Sequence, residues 1–255
     1  MLVTIDLNII TLVEGLPKTK LLYWDQQYQK ICDSEIIKMV QEKNEVYIIL
    51  DKTIFHPKSG GQPTDIGIIK DNEQEINIKK CFITKDVIIH IGKNSEQKVL
   101  QNNTSSEINW ETRYLYMKRH TTAHLLDHCI SKVVEKDVIT NDSWLGDECY
   151  IGYIGKNITR NEVEEAFKMA NDMAEKNLDI FSELTSYEEL IKKAPHAPNL
   201  HRIPKKDELR IVTIQDCESI PCGGTHVEKL GEIKKIVFNK IEPTENGYKI
   251  FYDVK

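Results

Sequence analysis

Apolar and polar residues alternate with a period of two over much of the first hundred residues, which predicts β-strands. The run 46–50 is rich in β-branched residues, and the segments 81–91 and 4–7 show the same alternation. Between them, residues 55–67 are dense in glycine, proline and other turn formers, which favours a loop. A polar stretch ends this region, so we place a domain boundary near Glu107 and expect a β-rich domain over residues 1–107.

The remaining residues, 108–255, mix helical and strand patterns. Apolar residues recur at core-facing spacing over about 111–132 and again over about 161–175, which predicts two helices. Thr159 and Glu162 are spaced as a capping box at the start of the second helix.

Shorter elements are predicted towards the end of the chain. A third helix follows Ser186, with Glu189 at capping-box distance, and residues 209–214 predict a strand. The last segment predicts a hairpin that turns at Asn246 and Gly247. This mixture indicates an α+β fold in which helices pack on an antiparallel sheet.

Composition is that of an ordinary globular protein, with 40% hydrophobic and 29% charged residues in a chain of 255. This length suits two modest domains. No apolar run approaches the roughly 20 residues of a membrane span, and the first residues lack the basic and small-residue features of a signal peptide. We therefore expect a cytoplasmic protein without a membrane partner; nothing in the sequence indicates its oligomeric state.

The formal net charge of −6 argues against a broad surface for nucleic acid, but basic residues gather locally. They either contact phosphate groups or are simply solvated, and they comprise Lys118, Arg119, Lys192, Lys193, His196, His201, Arg202, Lys205 and Lys206. The six cysteines are scattered along the chain, which favours free thiols over a disulfide framework.

Two short motifs about a hundred residues apart predict one metal site. His120 and His124 stand at i and i+4 within the first predicted helix, so both imidazoles project from one face. Cys222 and His226 have the same spacing after the predicted strand, and the glycines between them allow a tight turn. One thiolate and three imidazoles suit Zn²⁺.

Neighbouring residues offer alternatives to this ligand set. Cys217 could replace Cys222, and His128 extends the row of histidines but lies some 80° round the helix from His120. Asp127 either orients an imidazole or is an exposed helix residue. A zincin protease is excluded, because Thr121 stands where its glutamate would be; the glycine-rich loop also lacks the lysine of a P-loop.

The motifs together resemble the editing domain of alanyl-tRNA synthetase, and still more the free-standing AlaX proteins in their two-domain form. The resemblance rests on the two metal motifs with their following residues, Leu125-Leu126 and Val227, and on these further positions: Leu22, Tyr23, Asp25, 55–67, His90, 108–110 and Arg113. The chain departs from the family pattern at His56, where tyrosine is usual, and at Ser59, where glycine is frequent. The resemblance implies an N-terminal β-barrel-like domain followed by a zinc-binding editing domain.

It also implies a reaction, the hydrolysis of the ester that joins serine or glycine to tRNA for alanine. A pocket for alanine rejects these amino acids poorly, since one small group changes binding by only ~1–3 kcal/mol. A second, hydrolytic site must therefore read the amino acid with polar groups, for which Thr121, Thr122, Thr225 and Gln62 are candidates. We expect no aminoacylation, because two such domains leave no room for an ATP-binding core.

Zinc would either activate water or orient the substrate. Four protein ligands form a closed site, which is the structural pattern, so a catalytic role requires one weak ligand, for which His226 or Cys222 is favoured. Two other functions stay open: a zinc-stabilised RNA-binding module without catalysis, and a deacylase of threonyl-type specificity.

Overall fold

The computed structural model describes residues 9–155 and 158–255, so the strand predicted over 4–7 lies outside the described residues. The chain divides into two compact units. The first contains the described residues through Ser59 together with Thr64–Arg113, and the second contains Gly60–Pro63 and the described residues from Tyr114 onwards. We keep the boundary near Glu107 as a prediction. None of the helices among the described residues combines the length and the apolar character that a membrane-spanning helix requires.

A closed six-stranded barrel forms most of the first unit, as expected. In chain order, the elements of this unit are α1 (Ile9–Leu12), β1 (Lys20–Leu21), α2 (Leu22–Asp25), β2 (Ile31–Glu42), β3 (Glu45–Leu50), β4 (Lys52–Thr53), β5 (Gly67–Lys70), β6 (Glu75–Thr84), β7 (Val87–Lys93) and β8 (Asn103–Ile108). The barrel order is β2-β3-β7-β6-β5-β8, with antiparallel neighbours throughout, while β1 and β4 form a short parallel pair. Ile48, Ile69 and Ile88 are among the buried residues that fill it.

The strand predictions in this unit are partly confirmed. The run 46–50 lies in β3, but 81–91 covers parts of two strands, β6 and β7. They are joined at Lys85 and Asp86, whose φ angles are 48° and 61°. Because this turn contains no glycine, the pattern gives little sign of a hairpin there.

The polar stretch that ends the β-rich region, just before the predicted boundary at Glu107, is in part the strand β8. This strand closes the barrel by pairing with both β2 and β5. Its inward positions include Thr104 and Ser106, which are buried although they are polar. Small hydroxyl residues thus fill the barrel interior here, and the usual alternation of apolar residues is missing from the sequence.

The second unit is a mixed α+β structure. Its main segment begins within the helix α3 (Trp110–Val133), whose first four residues belong to the first unit. The elements after α3 are β9 (Ile139–Trp144), β10 (Tyr150–Ile154), α4 (Arg160–Glu175), β11 (Ile180–Thr185), α5 (Tyr187–Lys193), β12 (Leu209–Ile214), β13 (Ile220–Pro221), β14 (Ile236–Thr244) and β15 (Gly247–Val254). Four strands form an antiparallel sheet in the order β14-β15-β10-β9, and β11-β12-β13 form a second antiparallel sheet.

The predicted helices of this unit are confirmed. Helix α4 begins at the predicted capping box, in which the Glu162 backbone N–H donates to Thr159 Oγ1 and the Thr159 backbone N–H donates to Glu162 Oε2. Ser186 caps α5, although the carboxylate of Glu189 pairs with Lys192 instead of completing a second box.

The predicted C-terminal hairpin is also confirmed, with its turn one residue earlier than expected. The turn occupies Glu245 and Asn246, and Gly247 is the first residue of β15. A Cβ at Gly247 would clash with the backbone of Tyr153 on β10. The glycine is therefore required for close approach of two strands.

Candidate metal centre

Four side chains from two remote segments of the second unit meet at one point. His120 and His124 lie one helical turn apart on α3, and Cys222 and His226 lie on the loop that follows β13. The ligand atoms of all four lie within 4.8 Å of one another. The structure thus brings the predicted ligand set together in full.

The spacing within this cluster fits a small tetrahedral cation. Cys222 Sγ lies 3.3 Å from His120 Nε2 and 3.3 Å from His226 Nε2. Around a tetrahedral Zn²⁺ with bonds of about 2.1 Å to nitrogen and 2.3 Å to sulfur, ligand atoms stand roughly 3.3–3.8 Å apart. The donor set and its spacing therefore fit zinc.

Gln62 orients the first imidazole. Its Oε1 accepts hydrogen bonds from the Thr225 backbone N–H at 3.0 Å and from His120 Nδ1 at 2.9 Å, while its Nε2 donates to Thr225 Oγ1 at 2.9 Å. The backbone donor identifies Oε1 as an acceptor, so Nδ1 of His120 carries the proton. Its other nitrogen, Nε2, is left unprotonated and directed at the cluster, as a metal ligand requires.

Thr121 does the same for His226. Its hydroxyl donates to the carbonyl of Met117 at 3.0 Å, so it acts as an acceptor towards His226 Nδ1, at 3.2 Å, and the Val227 backbone N–H. Again Nε2 of the imidazole is the nitrogen that faces the cluster. Thr121, Thr225 and Gln62 therefore all stand beside the ligands, in positions that fix them.

Arg210, which the sequence analysis did not single out, secures the loop that carries the second half of the cluster. Its Nη1 donates to the carbonyls of Cys222 at 3.1 Å and Gly224 at 2.8 Å. The sequence feature that could have indicated this role is an arginine within a mostly apolar strand that precedes the Cys222 motif. Gly224 is needed for close packing, because a Cβ there would clash with the ring of His120.

Burial sets the protonation of these groups. It lowers the pKa of His124 to about 3, and the positive charge of Arg210 acts in the same direction, so this imidazole is neutral at physiological pH. Burial also raises the pKa of the Cys222 thiol, against the opposing effects of Arg210 and the Gly224 backbone N–H. A divalent cation would stabilise the thiolate and displace its proton.

Other candidate residues lie away from the cluster. Thr122 is buried, and its Oγ1 has no hydrogen-bond partner among the described residues. It projects about 200° round the helix from His120. Among the residues that the structure describes, neither Cys217 nor His128 belongs to the group that could hold the ion.

A cleft of about 420 Å³ opens beside the cluster, within the same unit. Three of the four potential ligands line it, namely His120, His124 and Cys222, together with Ala123 between the histidines. Such a volume lies within the range of small-molecule sites. The potential metal centre is therefore accessible to a ligand from one side.

Part of the predicted basic cluster is paired with acidic residues. Lys192 pairs with Glu189, and Lys193 pairs with Glu183. Arg202 differs from them, because it lines the cleft, where it donates to the carbonyl of Asn141 at 2.7 Å. Within the predicted group, Arg202 is therefore the best placed to meet a ligand bound there.

We expect replacement of Gln62 with alanine to weaken zinc binding by about 10- to 100-fold, because His120 loses the acceptor that fixes its ring. The dissociation constant can be measured by competition with a chromophoric zinc chelator. Gln215→Ala, an exposed glutamine of the same unit, is the matched control and should bind as the wild type does. An unchanged affinity in Gln62→Ala would refute the orienting role.

Comparison with protein-family models identifies two regions. The family described as class II (A) tRNA synthetases matches residues 6–112, which cover the barrel unit almost entirely. The second additional domain of threonyl- and alanyl-tRNA synthetases matches residues 209–248, which include Cys222 and His226.

Individual relatives match over most of the chain. The alanyl-tRNA editing protein AlaX-L of Pyrococcus horikoshii is 31% identical over 86% of this chain and 54% of its own length. The alanine–tRNA ligases of Methanococcus aeolicus and Sulfurisphaera tokodaii are each 29% identical, over 96% and 94% of this chain and 26% of their own length. The chain thus spans about a quarter of these ligases and about half of the editing protein.

Proposed function

The chain belongs to the family of alanyl-tRNA editing proteins, which includes the corresponding part of alanyl-tRNA synthetases, and on that premise we propose that it is a zinc-dependent deacylase. Its substrate would be tRNA for alanine that carries serine or glycine, and it would act in trans, on tRNA charged by another enzyme. Water would add across the ester, the acyl C–O bond would break, and the products would be the free amino acid and tRNA with its terminal hydroxyl restored. A tRNA substrate agrees with the cytoplasmic location predicted from the sequence.

The observation that carries this proposal is the placement of the cluster at the wall of an open cleft. A catalytic zinc site keeps a position that water or substrate can reach, whereas a structural site closes all four positions with protein ligands. Here Cys222 lines the cleft and is the least buried of the four ligands, whereas His226 is buried and does not line it. Of the two ligands predicted to be weak, Cys222 is therefore favoured.

When bound, a zinc ion would supply Lewis-acid chemistry at the ester carbonyl or towards a water molecule. The chain's own residues hold the site ready for it. Gln62 and Thr121 fix the rings of His120 and His226, and Thr225 fixes Gln62. Orientation of the ligands before binding reduces the reorganisation that the reaction would otherwise need.

Discrimination between amino acids would depend on the small polar groups in the cleft. Thr140, Ser143 and Asn199 line it, and Asn199 Oδ1 is buried without a hydrogen-bond partner among the described residues. Such a group could accept a hydrogen bond from the serine hydroxyl. The sequence also suggests that Thr121, Thr122 and Thr225 contact the amino acid directly, and we retain this role as a proposal.

The test is a deacylation assay with seryl-, glycyl- and alanyl-tRNA(Ala), each incubated with and without a zinc chelator. We expect serine or glycine to be released faster than alanine, and chelation to stop the release. Release of alanine at the same rate as the other two would refute the editing function. Seryl-tRNA for threonine, included as a fourth substrate, tests the alternative of threonyl-type specificity, since the matched second additional domain is shared with threonyl-tRNA synthetases.

The closed set of four ligands also supports a second candidate, a zinc-stabilised RNA-binding module without catalysis. In that case zinc would be needed for folding, and the chain would bind tRNA without cleaving the ester. The two candidates differ in what the loss of one ligand, such as His124, does to the fold.

A further inference from the structure

A buried carboxylate in the cleft is not explained by the metal centre. Asp127 lies on α3, three residues after His124 and seven after His120, so all three project from one face of the helix. Its side chain lines the cleft, yet only 7% of the residue is exposed. It is therefore neither an exposed helix residue nor hydrogen bonded to an imidazole, the two roles expected from the sequence.

The contacts of Asp127 leave half of the carboxylate available. Oδ1 accepts a hydrogen bond from the hydroxyl of Tyr153 on β10 at 2.7 Å. Among the described residues, none forms a hydrogen bond to Oδ2 of Asp127. No lysine, arginine or histidine among them forms an ion pair with this carboxylate. Arg202, the cation whose charge acts on it, donates instead to the carbonyl of Asn141 and to Thr140 Oγ1.

A carboxylate with so little exposure and no paired cation is costly to keep ionised. Burial accordingly raises the pKa of Asp127 to about 7, against the lowering effects of the Tyr153 hydrogen bond and of Arg202. A cationic ligand in the cleft would remove this cost, because it would supply the missing charge and a charge-assisted hydrogen bond. A small organic cation would therefore bind favourably beside this carboxylate.

We propose that Asp127 binds the α-ammonium group of the aminoacyl ester. This inference rests on the proposed function, in which the ester carbonyl lies at the metal centre. Asp127 lies about one helical turn beyond His124 on the same face of α3, and both side chains line the same cleft. A substrate whose carbonyl lay beside His124 could therefore direct the ammonium group on its neighbouring carbon towards Asp127.

The assignment has a consequence for specificity. Serine, glycine and alanine all carry the same ammonium group, so Asp127 contributes equally to all three. It excludes acyl groups that lack a positive charge, while other cleft residues distinguish the side chains. Replacing Asp127 with asparagine should thus lower kcat/KM for seryl- and glycyl-tRNA(Ala) by the same factor.

The experiment compares seryl-tRNA(Ala) with glyceryl-tRNA(Ala), which is made from it by nitrous acid and has a hydroxyl in place of the ammonium group. After division by the uncatalysed rates, we expect the wild type to favour the seryl ester by about 10- to 100-fold in kcat/KM. Asp127→Asn should lose most of this preference. The matched control is Asp142→Asn, a second cleft carboxylate that already contacts Lys249 and the Tyr150 hydroxyl, and it should retain the preference.

Equal cleavage of both esters by the wild type would overturn the assignment of Asp127 and leave the proposed function standing. Cleavage of neither ester would instead overturn the proposed function. If Asp127→Asn does not fold, binding of 3′-seryl-amino-3′-deoxyadenosine and of its deaminated analogue to the wild type decides the matter. Weaker binding of the deaminated analogue supports the assignment, and equal binding contradicts it.

Discussion

Replacement of His124 with alanine is expected to reduce the deacylation of seryl-tRNA(Ala) by about a thousandfold, while the chain remains folded. The loss corresponds to ~4 kcal/mol of transition-state stabilisation, as expected when a Lewis acid is removed from the site. His124 is buried and lines the cleft, so its removal opens the cluster towards solvent. Single-turnover deacylation, circular dichroism and bound zinc would be measured on the same preparation.

His128→Ala is the matched control, since this half-buried histidine lies on the same helix and outside the cluster. It should retain the rate and the zinc content of the wild type. Loss of folding in His124→Ala alone would favour the structural module, and full activity without bound zinc would refute a catalytic metal.

Replacement of Arg113 with methionine is expected to destabilise the barrel unit by about 3–5 kcal/mol, because it leaves the buried carboxylate of Asp65 without its partner. Arg113 is fully buried, and its Nε donates to both carboxylate oxygens of Asp65 at 2.9 Å. Its Nη2 also donates to the carbonyl of Ile54 at 2.6 Å. Hydrogen exchange followed by mass spectrometry would report the loss as faster exchange in the barrel strands.

Arg160→Met provides the comparison, because Arg160 pairs with Glu164 on an exposed face of α4. An exposed pair at i and i+4 contributes within about 0.5 kcal/mol, so this variant should exchange as the wild type does. Asp65→Asn in the Arg113→Met background should recover part of the lost stability, since the unpaired charge is then absent. A loss below about 1 kcal/mol in Arg113→Met would contradict the account of this pair.

The metal cluster could be predicted from the sequence because each half depends only on local spacing. A spacing of four residues on a helix places His120 beside His124 whatever the rest of the fold, and Cys222 and His226 are likewise only four residues apart within one loop. Helices α3 and α4 were predictable for a similar reason, since the spacing of their apolar residues and, for α4, the Thr159 cap lie within the helix's own segment.

Features that depend on distant partners were not predictable. β8 is a strand because it pairs with β2 and β5, and its polar inward positions conceal this in the sequence. The buried state of Asp127 depends on Tyr153, which comes from the strand β10. Likewise, Arg210 acts on the Cys222 loop through hydrogen bonds to backbone carbonyls, so the residue types of its partners do not reveal the contact.

The most direct test is a zinc titration of the metal-free chain, with the rate of seryl-tRNA(Ala) deacylation as the readout. If the four side chains hold one catalytic ion, the rate should rise from background and reach a plateau at one zinc ion per chain. A metal-free chain that already cleaves the ester at the full rate, or a rate that zinc leaves at background, would contradict the account.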